Sequence, residues 1–258
     1  YIGLLTQPVL RISRIIQVWQ RGIVSMERID YMLSAAPAVN DNHADMSLTE
    51  LESAEIVVKN LTYRYPDTDV DVLRDVSFTV KPGEVVAVLG PTGCGKTTIL
   101  NLLMRLWNSP PGTIRVSGHN IDNIPVHTLR SSIAYVPQDT FLFSDTIMNN
   151  IIFFESSITE EDAKNAAKAA VIHDNIVEFE NGYNTVVGER GMTLSGGQKQ
   201  RISIARAIVR HPKLLLLDDC LSAVDAETEH AILNNLSTYI KGSTTILVTH
   251  RIAAAGLA

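Results

Sequence analysis

One octapeptide limits what this chain can be. Gly90-Pro91-Thr92-Gly93-Cys94-Gly95-Lys96-Thr97 fits the pattern GxxxxGK[ST] at every position. The apolar run Glu84–Leu89 stands before it, and a helix-like pattern with Ile99, Leu100, Leu102, Leu103 and Leu106 follows. A buried strand, a glycine-rich turn and a helix N-terminus in that order form a cradle for an anion. The glycines let backbone N–H groups turn inward, and the helix end adds partial positive charge. In such a cradle Lys96 reaches the β- and γ-phosphates of a nucleotide, and the Thr97 hydroxyl ligates Mg²⁺. The residues from Gly90 to Thr97, with Thr98 beside them, are therefore candidates for nucleotide binding. The plainer alternative is a glycine-rich strand–helix turn with no ligand.

The rest of the chain agrees with an α/β domain. At 258 residues it has room for a sizeable core. Leu214–Leu217 and Thr245–Val248 join Glu84–Leu89 as short apolar runs that read as buried parallel strands. Each ends at a polar or glycine-rich turn, and ligands of open α/β sheets bind at the carboxyl ends of strands. The stretches Ile56–Tyr65, Val76–Val80 and Thr113–Val116 alternate and carry β-branched residues, as expected of a side sheet. Thr159 with Asp162 reads as a capping box before an alanine-rich helix. With 45% hydrophobic and 19% charged residues, disorder and disulfide scaffolds are excluded. A net charge of −6 argues against a dedicated nucleic-acid binder. Cys94 and Cys220 lie far apart with no CxxC, which fits a reducing compartment.

Residues 1–33 read as one helix, with Ile12, Ile16, Trp19, Ile23, Met26 and Leu33 on a stripe and Pro8 interrupting near the start. Its Arg11, Arg14, Arg21 and Arg28 after an apolar beginning match the cytoplasmic end of a membrane helix; an ordinary amphipathic helix is the alternative. Residues 34–52, rich in Pro, Asn, Asp and Ser, read as a linker, with His43 solvated. The chain begins with Tyr1 and reads as a piece of something longer.

Two further motifs qualify the cradle. Leu214–Leu217 runs into Asp218, a carboxylate placed at a strand end to hold Mg²⁺. In Leu194-Ser195-Gly196-Gly197-Gln198, Ser195 is a good N-cap for a helix that continues to Ile208 and stops by His211-Pro212. Its exposed glycines make a second phosphate-ready surface. Two such surfaces imply two ligands, or one ligand shared between two chains.

Gly90–Thr97, Gln138, Leu194–Gln198, Asp218, Asp225 and His250, in this order, resemble the ATP-binding cassette family. The resemblance covers 53–258. It implies a P-loop α/β core with a parallel sheet, an antiparallel β side sheet and a helical subdomain at about 139–210. It also implies Mg·ATP as cofactor and a head-to-tail dimer, each ATP lying between the P-loop of one subunit and Ser195, Gly196, Gly197 and Gln198 of the other. Tyr65 falls where the family stacks an aromatic on adenine, and Gln138 falls at the Q-loop, which senses the γ-phosphate, helps hold the metal with Thr97 and Asp218, and touches the membrane domain. Ser222–Asp225 resembles the D-loop, and His250 the switch histidine at the γ-phosphate.

Gly188-Glu189-Arg190-Gly191 is similar to a loop of exporter-type members. With helix 1–33 it favours an exporter half-subunit, at the cytoplasmic face of a membrane and joined to its own or its partner's transmembrane domain. An importer ATPase usually begins near the first strand. A chromosome-maintenance ATPase needs a long coiled-coil insertion, whereas about 100 residues separate Lys96 from Ser195. One position departs from the pattern. The glutamate that polarises the attacking water is here Asp219, shorter by one methylene, or ~1.5 Å of reach, and ~1 Å of misplacement can cost ~100-fold in rate. Aspartate here marks the weakly hydrolysing site of exporter heterodimers, which implies a heterodimer. A working site that tolerates the substitution is the alternative, as is a nucleotide-binding switch with little hydrolysis.

Overall fold

The computed structural model describes residues 2–188, 193–239 and 242–250. The chain divides after Ala38 into two units. The first is helix α1, Ile2–Ser34. The expected break at Pro8 does not occur. The ring removes one N–H bond, that to residue 4, and the long ladder beyond it carries the helix through. Ile12, Ile16, Trp19, Ile23, Met26 and Leu33 are all exposed. Among the described residues no helix is long and apolar enough to cross a membrane.

The second unit starts at Val39, so most of the expected linker belongs to the domain body. Polar bonds dock it in place of an apolar stripe. Arg105 Nη2 donates to the Asn40 carbonyl at 2.8 Å, the Val126 N–H donates to Asp41 Oδ1 at 2.9 Å, and Thr128 Oγ1 donates to the Leu48 carbonyl at 2.8 Å. Leu51 is fully buried. Composition marked this stretch as solvated because such bonds leave no periodicity.

Two four-stranded sheets follow. The side sheet has strands β1 (Ile56–Tyr63), β2 (Leu73–Val80), β4 (Ile114–Val116) and β5 (His119–Asn120) in the antiparallel order β2-β1-β4-β5. β2 begins earlier than alternation indicates, because the β1–β2 register shifts between Val58 and Leu61. Asn60 and Asp75 take φ of 46° and 50° there and are tied by an Asn60 Nδ2–Asp75 Oδ1 bond of 2.8 Å. The main sheet is parallel, in the order β3 (Val85–Leu89), β8 (Thr244–Thr249), β7 (Leu214–Asp218), β6 (Ile133–Val136). β6 escapes sequence patterning because it has only four residues, too few to show alternation.

Between the sheets and along them run helices α2 (Lys96–Leu103), α3 (Val126–Ser131), α4 (Ile147–Ile152), α5 (Glu160–Ala169), α6 (His173–Val177), α7 (Gly196–Ile208) and α8 (Ala226–Tyr239). Side chains of β7 alternate between two cores. Leu215 and Leu217 pack with α4, α5, α7 and α8 residues such as Ile151, Ala166, Ile204 and Ile232. Leu214 and Leu216 pack with Leu100, Leu103 and the side-sheet residues Ile56 and Val58. The sheet thus seats Asp218 between two dry layers, at its carboxyl edge. α5 carries the Thr159–Asp162 capping box, with both reciprocal bonds formed. Glu189, Arg190 and Gly191 of the exporter-like loop lie outside the described residues.

Candidate functional site: a cleft at the carboxyl edge of the parallel sheet

β3 ends at Leu89 and α2 begins at Lys96, with the loop Gly90–Gly95 between. Gly95 has φ 93°, and a Cβ there would lie 2.8 Å from Leu73 Cδ2 and 3.0 Å from the Val72 carbonyl oxygen. Only glycine fits that start of the helix. At Gly90 a Cβ would come within 2.7 Å of Cys94 Sγ, so the loop closes on itself. Lys96 Nζ donates to the carbonyls of Gly90 at 2.7 Å and Pro91 at 2.9 Å, and lies 3.9 Å from Cys94 Sγ. The ammonium is held over the loop by its own backbone, at the place where the pattern puts phosphate.

An open cleft of about 190 Å³ brings Thr92, Gly93, Gly95, Lys96, Thr97, Thr98, Gln138, Asp218, Asp219 and His250 together, with Val72 and Val248 as apolar wall. The ends of β3, β6, β7 and β8 supply these groups, although only the first, third and fourth were legible as strands. Asp218 is almost fully buried and accepts a hydrogen bond from Tyr135 Oη at 3.3 Å. Burial first, and then the Asp218 charge, push the Tyr135 phenol upward, so it stays a donor. Sequence reasoning misses Tyr135, because its phenol meets the strand-end carboxylate across 83 residues of chain and leaves no local pattern.

Among the described residues no lysine or arginine pairs with Asp218. A buried carboxylate, the Thr97 hydroxyl and the Gln138 amide oxygen form an all-oxygen set suited to a hard divalent cation such as Mg²⁺. The residues therefore fit the metal that the motif implies. Among the described residues no group of three or more His, Cys, Asp or Glu side chains is arranged to hold a metal ion by itself.

Asp219 follows with φ 45°, a left-handed conformation for a non-glycine residue. Its N–H donates to the Val248 carbonyl at 2.9 Å, and its Oδ1 meets His250 Nδ1 at 2.9 Å. The imidazole is half exposed and the carboxylate largely covered. Next to it Cys220 is fully buried, and burial raises its thiol pKa.

Other candidates stand apart from the cleft. Tyr65 borders it, donating from Oη to Thr98 Oγ1 at 3.1 Å and meeting Tyr63 and Trp107 edge-on at 5.2 and 5.3 Å. Ser195 and Gly196 are exposed and do not line it. Ser195 caps α7 in a full capping box with Gln198. Asp225 does not line it either; its Oδ1 accepts from the Thr228 N–H at 2.9 Å and caps α8.

Comparison with known proteins accounts for this arrangement. The sequence profile of the family described as ABC transporter matches residues 73–222. A probable multidrug resistance ABC transporter ATP-binding/permease protein of Bacillus subtilis, YheI, is 42% identical over 254 residues, 98% of this chain and 43% of that protein. The multidrug resistance-like ATP-binding protein MdlA of Escherichia coli is 41% identical over 254 residues, 98% of this chain and 42% of its own length. The solved structure of a bacterial Atm1-family ABC exporter with ATP bound superposes with a TM-score of 0.84 at 36% identity, covering 91% of this chain and 41% of that one. The chain thus spans less than half the length of these relatives. Its phosphate loop, its strand-end carboxylates and its fold are those of an ATP-binding domain, and the chain belongs to the ABC transporter family.

Proposed function

We propose that this chain is the ATP-binding engine of an exporter, placed at the cytoplasmic face of a membrane and driven by Mg·ATP. One observation carries the reading. Lys96, Thr97, Gln138, Asp218, Asp219 and His250 share one cleft, while the glycine-rich start of α7 is exposed on another surface. A cleft that holds a nucleotide from one side only is completed by a surface supplied from elsewhere. The α7 start of a second, head-to-tail subunit has the required chemistry: exposed N–H groups at a helix N-terminus. The relatives named as ATP-binding/permease and exporter proteins support this reading, and α1 supports a connection to transmembrane helices.

In the cleft the loop N–H groups and Lys96 bind and orient the phosphates, while Thr97, Gln138 and Asp218 would hold Mg²⁺. The metal, when bound, neutralises charge on the β- and γ-phosphates. Val72 and Val248 exclude water from one wall. Asp219 and His250 face the γ-phosphate end, where the carboxylate fixes the ring through Nδ1 and leaves Nε2 free to point outward. Because Asp219 is short and engaged with His250, this chain's own site hydrolyses weakly. A heterodimeric partner bearing glutamate does most of the turnover, using this chain's α7 start. An importer subunit is the weaker reading, because α1 precedes the domain.

ATP-dependent association tests the proposal. Mg·ATP should shift the protein to a dimer on gel filtration, together with the co-purifying partner chain. Gly196→Asp should bind nucleotide and remain monomeric. A dimer that forms equally well with Gly196→Asp would contradict a shared site.

A further inference from the structure

Gln200 lies one turn into α7 and is buried, although its side chain is polar. Its amide bridges α7 to the turn 222–223. Oε1 accepts from the Ala223 N–H at 3.0 Å, and Nε2 donates to Ser222 Oγ at 3.2 Å. Directly above it, Gly197 rests on the same turn; a Cβ at Gly197 would lie 2.8 Å from the Ala223 carbonyl oxygen. The start of α7 is therefore tied to the turn 222–223.

That turn is also bound to the cleft. The Ser222 N–H donates to the Asp219 carbonyl at 3.3 Å, and Asp219 reaches His250. Close packing of Gly197 on the turn, and hydrogen bonds through Gln200 and Ser222, lead from the start of α7 to Asp219 in this chain's own cleft.

We infer that Gln200 is a positioning residue that couples the nucleotide in this chain's cleft to the α7 surface offered to the second subunit. The inference rests on the exporter reading above. An amide suits the task because it donates and accepts at once, holding both the Ser222 hydroxyl and the Ala223 N–H. An apolar residue of similar size would take this acceptor from the Ala223 N–H and the donor from Ser222 Oγ, and would let α7 shift on the turn.

The test is a double-mutant cycle in the complete transporter, read as steady-state ATPase with kcat and KM separated. Gln200→Leu alone should lower kcat about tenfold or more, leaving the Mg·ATP affinity of this chain's cleft within about twofold. Lys96→Ala weakens nucleotide binding in this cleft, and leaves it largely empty at Mg·ATP well below the variant's dissociation constant. In that background Gln200→Leu should cause little further loss, because little occupancy is left to transmit. Gln200→Glu keeps the acceptor for Ala223 and should recover part of kcat; it also serves if the leucine variant folds poorly. Equal fold-losses with and without Lys96→Ala would overturn the coupling and leave Gln200 a support for the helix alone. Mg·ATP affinity unchanged by Lys96→Ala would instead overturn the reading of the cleft, and this inference with it.

Discussion

Asp219 Oδ1 and His250 Nδ1 stand 2.9 Å apart, joining the end of β7 to the end of β8 across the mouth of the cleft. A carboxylate bonded this way orients an imidazole well, but it is poorly free to polarise a water. The left-handed backbone at Asp219, φ 45°, aims the short side chain at the ring.

From this pairing follows an unequal effect of two substitutions on ATPase of the complete transporter. Asp219→Asn should lower turnover only about two- to threefold, since it removes a carboxylate already engaged elsewhere. If α7 completes a partner's site as proposed, Gly196→Asp should lower it about 100-fold, because a negative side chain would stand before the backbone N–H donors offered to the γ-phosphate. Gly196 is the position to use. A Cβ there meets only Ala223 Cβ at 3.4 Å, whereas Gly197 has no room for one. Equal, complete loss in both variants would mean that Asp219 does the catalytic work.

The two cysteines give an internal comparison. Cys94 is exposed within the phosphate loop and Cys220 is buried behind Asp219. Mass-spectrometric alkylation should label Cys94 in nucleotide-free protein and be suppressed by Mg·ATP, with Cys220 unlabelled in both. Equal labelling of Cys94 in the two states would place it off the nucleotide.

The phosphate loop, Asp218 and the α7 cap were readable because each is a short local pattern with one physical purpose. Thr159–Asp162 and Ser195 were legible as caps for the same reason. Other features depend on long-range pairing. β6 is recognisable only once it lies beside β7, and Tyr135 only once its hydroxyl faces Asp218. The docking of 39–52 rests on Arg105, Thr128 and Val126, which are more than 60 residues away in sequence. The bond from the Thr228 N–H to Asp225 Oδ1, which caps α8, is likewise not told by the motif in which Asp225 stands.

Arg206 gives a stability prediction. Its guanidinium donates to the carbonyls of Asn150 at 2.7 Å and Phe141 at 2.9 Å and to Asn150 Oδ1 at 2.7 Å, and lies against the rings of Phe143 and Phe153. Burial pulls its pKa down to about 10, so it remains charged at neutral pH. Arg206→Leu should destabilise the domain by about 2–3 kcal/mol in urea unfolding, as partners of a charged donor lose it. A change under about 0.5 kcal/mol would show that the α7 contact with the 141–153 segment contributes little.

Asp225 supplies a pH dependence. Its hydrogen bonds with the Thr228 backbone and side chain hold its pKa below the ordinary 3.8. A depressed folded value means the cap stabilises above that range and loses its effect as pH falls through the folded pKa. Wild type should therefore lose more stability than Asp225→Asn between pH 5 and pH 3, because asparagine caps without titrating. Parallel stability curves for the two proteins would contradict the cap.

The central claim is that the loop over which Lys96 is held binds the phosphates of Mg·ATP. The most direct measurement is the dissociation constant of Mg·ATP for wild type and Lys96→Ala by titration calorimetry. Loss of one charge-assisted phosphate contact of about 1.5–3 kcal/mol predicts at least tenfold weaker binding in the variant. Equal affinity in the two proteins would contradict the account.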